Sequence, residues 1–220
     1  MNRHNPIQEG HFAVTNAFRK LSFSAAIALL ALTGFCFTPS ANAQAAAQSL
    51  AAVRIVQSVD NSALVTLKGA VHPLANAHND AGPLSPDTAL SRVQLVLKRS
   101  PQQESALQQL IQQMHTPGTA NYHKWLSPTQ FGQQFGPADQ DIQTIENWVS
   151  SHGFSVGKIS PDKGMLEISG TVGQLQDTFH VSMHKYLVNG QEHYANSNDP
   201  QIPAALSPVL GGFVSLNNFP

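Results

Sequence analysis

Apolar positions along this chain follow two rhythms, one near 2 and one near 3.6, separated by breaks marked with proline and glycine. Arg92-Val93-Gln94-Leu95-Val96-Leu97-Lys98 alternates at period two and predicts a strand. Ser100-Pro101 then supplies a helix cap and a first-turn proline. Leu107, Leu110, Ile111 and Met114 draw one apolar stripe along the helix that follows, and Pro117-Gly118 ends it. Ser127-Pro128 opens a short helix carrying Phe131 and Phe135. Gly136-Pro137 opens a longer one, with Ile142, Ile145, Trp148 and Val149 on one face and Gly153 at its end. Strands at residues 154–159 and 165–168 flank a turn at Pro161-Asp162-Lys163-Gly164. Thr171 and Gln174 stand at capping-box spacing, Val172, Leu175 and Phe179 line the helix they open, and residues 181–188 return as a strand.

Without the helical insertion the order is β-α-β-β-α-β, which predicts an α+β, ferredoxin-like split βαβ core over residues 91–188. Residues 44–90 read as a leader. Its β-rich runs at 53–59 and 63–68, joined by Asp60-Asn61-Ser62, predict a short β-hairpin, and residues 69–87 predict a loop. Residues 189–220 are rich in Pro, Asn and Ser, hold one apolar patch at 209–216, and read as a tail or linker. Residues 1–43 carry an export signal. Arg19-Lys20 precedes an uncharged apolar run from Leu21 to Phe37, Pro39 breaks it, and Ala41-Asn42-Ala43 sets cleavage between Ala43 and Gln44. The expected location is therefore secreted or periplasmic, with no membrane attachment after cleavage.

Charge narrows the function. Twelve Lys+Arg against thirteen Asp+Glu leave a net charge of −1, so there is no basic field for nucleic acid. Charged residues make up 11% of the chain, against roughly 25% in ordinary domains, so the surface is polar but weakly charged. The single cysteine, Cys36, lies in the export segment, which excludes disulfides and thiol catalysis from the exported part. The chain holds no G-x-S-x-G elbow, H-E-x-x-H pair, acidic calcium loop or glycine-rich phosphate loop. In Ser169-Gly170-Thr171-Val172 a valine stands where a nucleophile would have to be, so this run reads as a strand end and a helix cap. His180 and His184 fall on one face of the predicted strand and could share a metal, but no third ligand accompanies them. No catalytic residue and no cofactor are expected in this chain.

One dense run remains, Tyr122-His123-Lys124-Trp125-Leu126-Ser127-Pro128-Thr129-Gln130-Phe131. It is followed in order by Phe135-Gly136-Pro137-Ala138-Asp139-Gln140-Asp141-Ile142, Trp148, Gly153-Phe154, Ile168-Ser169-Gly170-Thr171, Phe179, Tyr186, His193-Tyr194-Ala195-Asn196 and Ile202-Pro203-Ala204-Ala205-Leu206. This ordered set, from about Arg92 to Pro220, resembles the activation domain, or propeptide, of the sedolisin (kumamolisin-like) serine-carboxyl peptidases. The resemblance implies a prodomain that docks on a subtilisin-like catalytic domain, assists its folding, inhibits it, and leaves at acidic pH. It also implies that the catalytic residues and calcium ligands belong to that catalytic domain, which would follow a linker beginning near Asn217-Asn218-Phe219-Pro220. The expected partner is the cognate peptidase domain, in cis or in trans. Tyr122, His123, Lys124, Trp125, Leu126, Phe131, His193, Tyr194 and Asn196 are the candidate contact residues, although Trp125 and Phe131 flank a helix start, where aromatic residues are more often part of the core. All ten histidines except His4 and His11 lie beyond the cleavage site, and an imidazole gains charge near pH 6.5, so His123, His180 and His184 are candidate pH sensors. Two other readings stand beside this one: the truncated front part of a peptidase precursor, and a secreted adhesion or binding module on the same fold.

Overall fold

The computed structural model describes residues 51–214 and 216–220; the predicted export segment, Cys36 and the cleavage site at Ala43 and Gln44 lie outside them. In chain order the strands and helices are β1 (Leu64–Thr66), β2 (Asp80–Pro83), β3 (Ala89–Leu97), α1 (Pro101–His115), α2 (Pro128–Phe135), α3 (Asp139–Ser151), β4 (Ser155–Ile159), β5 (Met165–Thr171), α4 (Val172–Phe179), β6 (Met183–Val188), β7 (Gln191–Asn196), β8 (Gln201–Pro203) and β9 (Leu210–Val214). The fold is mixed α and β, and its strands pair antiparallel in three sheets. One has the order β4-β5-β3-β9, one β2-β6-β7, and one joins β1 to β8.

β3 is central because it is paired on both edges, Leu95 standing opposite Leu166 on β5 and Phe213 on β9. Its period-two alternation sends Val93, Leu95 and Leu97 into one apolar cluster with Ile145, Trp148 and Val149 of α3, Leu166 and Ile168 of β5, and Val172, Leu175 and Phe179 of α4. Leu95, Ile145, Val149, Leu166, Ile168, Leu175 and Phe179 are fully buried, each a contribution of about 1.5–3 kcal/mol. Leu107 and Met114 of α1 and Phe135 of α2 are buried apart from this cluster. The predicted stripe on α1 is corrected at one position: Ile111 is exposed, and the buried Gln103 extends the inward face instead.

Helices α1, α2 and α4 begin at side-chain caps, whereas α3 begins after Ala138 without one. Ser100 and Gln103, Ser127 and Gln130, and Thr171 and Gln174 each form a reciprocal capping box. Two of these glutamines also bind across the structure. The Nε2 of Gln103 donates to the carbonyl of Gly136 at 2.8 Å, and that of Gln174 to the carbonyl of Gly153 at 3.0 Å.

Three sequence expectations are corrected. The predicted hairpin at 53–68 does not form: β1 pairs with β8, and no strand forms at 53–59. The reason is Asp141, whose buried carboxylate accepts the backbone N–H of Arg54 at 3.0 Å and of Ile55 at 2.8 Å, so those donors face a helix side chain. Arg54 reaches on to the carbonyls of Lys98 and Pro208, both at 2.6 Å, and Trp148 Nε1 donates to Asn61 at 2.9 Å, so residues 54–61 lie as a belt along α3. Second, the strand predicted at 181–188 begins at Met183 and does not join the β3 sheet. His180, at φ 52°, redirects the chain after α4, and β6 is claimed by β2 and by a hairpin through Asn189-Gly190, both at positive φ. Third, the predicted tail supplies β7, β8 and β9, and β9 takes the free edge of β3. The predicted loop at 69–87 likewise contains β2.

Asp141 gives this belt a direct test. Asp141→Ala would leave two backbone donors without an acceptor, one of them buried, at a cost of about 2–4 kcal/mol. The urea midpoint should fall, and limited proteolysis should cut near residues 54–61 first. An unchanged midpoint and cleavage pattern would contradict the role given to this carboxylate.

Candidate functional site

Side chains outside the core gather on three surfaces. The first grows from the end of α1. Thr119 Oγ1 donates to the Gln113 carbonyl at 2.6 Å, Asn121 Nδ2 to Gln113 Oε1 at 2.7 Å, and the His123 backbone N–H to the Met114 carbonyl at 3.1 Å. These bonds fold the connection to α2 back onto the helix and hold His123 at φ 54°, a left-handed conformation uncommon for histidine. The rings then form a ladder. Tyr122 stacks on His123 at 3.9 Å, His123 on Trp125 at 6.3 Å, and Trp125 meets the edge of His115 at 5.6 Å. Trp125 is 63% exposed, so its expected place in the core is corrected. Lys124 is exposed beside it, and Leu126 is half-buried. Phe131 does not join this group: it leans on Phe135 at 5.4 Å, under the guanidinium of Arg99. His115 was not among the sequence candidates, although its place in the last turn of α1 sets it beside the motif.

The second surface is the β2-β6-β7 sheet, whose last strand carries His193, Tyr194 and Asn196. Asn196 is buried, its Nδ2 donating to the carbonyls of Ala70 and Asn198. Tyr194 binds the C-terminal segment by backbone, its N–H donating to Asn218 Oδ1 at 2.7 Å. His193 stacks on Phe219 at 4.6 Å, and His72 stacks on the same ring at 4.4 Å. Tyr122, His123 and Trp125 therefore come together, while His193 and Tyr194 meet Phe219 and Asn218, and Asn196 ties Ala70 to Asn198. The common strand face expected for His180 and His184 is also corrected. His180 caps α4 in a left-handed turn, outside the strand that carries His184. His184 donates through Nδ1 to Asp80 at 2.9 Å. That bond, helped by the Gly82 backbone N–H, holds the Asp80 carboxyl below the ordinary carboxylate range. Burial, with Asp80 nearby, pushes the Tyr186 hydroxyl above its usual value.

The third surface is the face of the β4-β5-β3-β9 sheet turned away from α3 and α4. It carries Gln94 and Val96 of β3, Met165 and Glu167 of β5, and Gly212 and Val214 of β9, placed side by side by register. Met165 is 37% and Val214 45% exposed, and Arg92 pairs with Glu167 at 3.3 Å. Val96 and Met165 also line an open cleft of about 600 Å³ with Lys98, Arg99, Glu104 and Asp162. The alternation in residues 92–98 pointed to this second face, but its partners on β5 and β9 are set only by pairing.

The Ser169 hydroxyl accepts the Arg92 backbone N–H, and Thr171 caps α4. Among the described residues, no three His, Cys, Asp or Glu side chains gather as metal ligands.

Comparison with known proteins follows the same region. A family model described as Pro-kumamolisin, activation domain, matches residues 76–219. Sedolisin of Pseudomonas sp. (strain 101) is 28% identical over 151 residues, covering 69% of this chain and 26% of that protein. Xanthomonalisin of Xanthomonas sp. (strain T-22) is 30% identical over 127 residues, covering 57% of this chain and 15% of that protein. The chain thus spans about a quarter or less of the length of these curated relatives.

The Asp80–His184 pair has a pH signature. A carboxyl held below its unfolded value of about 3.9 stabilises the fold above that pH, and the contribution disappears as pH falls through the lowered folded value. Asp80→Asn should therefore lower the urea midpoint at pH 5, and the gap between parent and variant should be smaller at pH 2.5. A gap of equal size at both pH values would contradict this account.

Proposed function

The chain belongs to the pro-kumamolisin activation-domain family, and from that membership we propose that it is the exported activation segment of a sedolisin-like serine peptidase. In this reading it assists the folding of the peptidase domain, covers it as a steric inhibitor, and leaves at acidic pH. The sheet order β4-β5-β3-β9, antiparallel throughout, supports a split βαβ core whose fourth strand is β9. The export run at residues 1–43 supports action outside the cytoplasm. Among the described residues, no helix is long and apolar enough to cross a membrane.

The observation that carries docking is the two-faced sheet. One face is saturated by the chain's own helices, while the other presents Val96, Met165 and Val214 around the Arg92–Glu167 pair. With so few charges on the chain, a partner would be held chiefly by apolar cover and hydrogen bonds, which suits a face of this make-up. The same face would serve a peptidase domain in cis or in trans.

The test is inhibition in trans. Sedolisin and xanthomonalisin would each be freed of the segment that aligns with this chain and titrated with it. Inhibition should follow dose. Met165→Asp and Val214→Asp should each weaken it by at least about tenfold, since each removes part of an apolar contact worth about 1.5–3 kcal/mol, with the urea midpoint of the free chain unchanged. Failure to inhibit either peptidase, or equal inhibition by both variants, would contradict the proposal.

A further inference from the structure

The ring ladder at the end of α1 lies on a different part of the chain from the open sheet face, and it has its own chemistry. Between Glu104 and Asp139 the sequence contains no Asp or Glu, and Lys124 carries the only formal charge. Into that stretch fall Tyr122, His123 and Trp125, exposed side by side, with His115 against the indole edge. Among the described residues, the Tyr122 hydroxyl, the Lys124 ammonium and the Trp125 indole N–H have no hydrogen-bond partner within the chain. The surface therefore offers free donors, and the segment that builds it has no carboxylate and one cationic side chain.

It is also preorganised. Three bonds to α1 fix the loop, and His123 is held at φ 54°, a strained conformation of the kind that recurs at binding and switch sites. A tryptophan 63% exposed on an ordered loop is not how a chain solves its own packing, and rigid Trp and Tyr side chains are the residues that dominate protein contacts.

We propose that Tyr122, His123, Lys124, Trp125 and His115 form a second docking surface, and that its occupant is a carboxylate-bearing patch on the peptidase domain. The partner's identity rests on the activation-domain reading above; its acidic chemistry follows from the ladder itself. The rings give flat apolar area, and the ammonium, hydroxyl and indole N–H give donors that carboxylates satisfy. A sugar fits less well. Its hydroxyls need acceptors as well as donors, this segment offers no carboxylate, and the His115 ring stands at 74° to the indole where a flat platform would be needed.

The experiment uses the same peptidases with Trp125→Ala and Lys124→Glu, neither of which touches the open sheet face. Both variants should raise the inhibition constant at least tenfold at low salt, and the Lys124→Glu penalty should shrink as salt rises. Because Trp148 is buried, acrylamide quenching reports mainly on Trp125, and the peptidase should shield it. If the parent inhibits and both variants match it within twofold, with Trp125 still quenched in the complex, the ladder is not a docking surface and the activation reading stands. If the parent inhibits neither peptidase, both fall together. Retention of the parent on cell-wall polysaccharide, lost in Trp125→Ala, would make the ladder a sugar site and overturn the proposal.

Discussion

The structure depends on one strand keeping two faces. β3 has partners on both edges, so its inward residues Val93, Leu95 and Leu97 cannot leave the core without breaking two ladders at once. A slip of one residue would turn that apolar set outward, because side chains alternate along a strand. Once register is fixed, Gln94 and Val96 must face the other way, with Met165, Glu167 and Val214 beside them. Burial on one side thus creates the open surface on the other. The N-terminal belt completes the same core, since Asp141 holds the backbone that carries Ile55 into the cluster.

The low charge of the chain shows in how it ties its parts together. Each capping box uses glutamine at its third position, where glutamate would serve the cap equally well. A neutral amide keeps an N–H pair in hand, and Gln103 and Gln174 spend theirs on the carbonyls of Gly136 and Gly153. A carboxylate would meet those carbonyls with oxygen against oxygen. Crowding near Gln174 also explains a glycine: a Cβ on Gly153 would lie 2.7 Å from its Nε2, at a position already held at φ +86°.

Where the code is local, the sequence was a good guide. The serine–proline and threonine caps, the stripe on α3 and the alternation of β3 each depend on residues within one or two turns of each other, and each forms close to where it is expected. The errors lie where distant residues decide. Residues 53–59 look like a strand because four of the seven are β-branched, but the donors of Arg54 and Ile55 are claimed by Asp141, a helix residue 86 positions from Ile55. β9 contains Gly211-Gly212 inside the tail's one apolar patch, and it becomes a strand because β3 has an edge to fill. Trp125 flanks a helix start, a setting that suggested burial; the three bonds that fix its loop against α1 are invisible in spacing. The motif residues split for the same reason, the 122–125 group sharing a loop while His193 meets Phe219 only through the fold.

The two outward surfaces divide the work in this account. The open sheet face supplies broad apolar cover, and the ring ladder supplies a rigid cluster of donors. The central claim is that the sheet face is left open for a partner, and the methionines allow it to be checked directly. Met165 lies on that face at 37% exposure, whereas Met183 is fully buried. Oxidative footprinting of the chain, free and bound to a sedolisin-type peptidase, should modify Met165 readily in the free state and protect it in the complex, with Met183 unreactive in both. Equal oxidation of Met165 in the free and bound states would mean that the peptidase binds elsewhere and that the open face is not its seat.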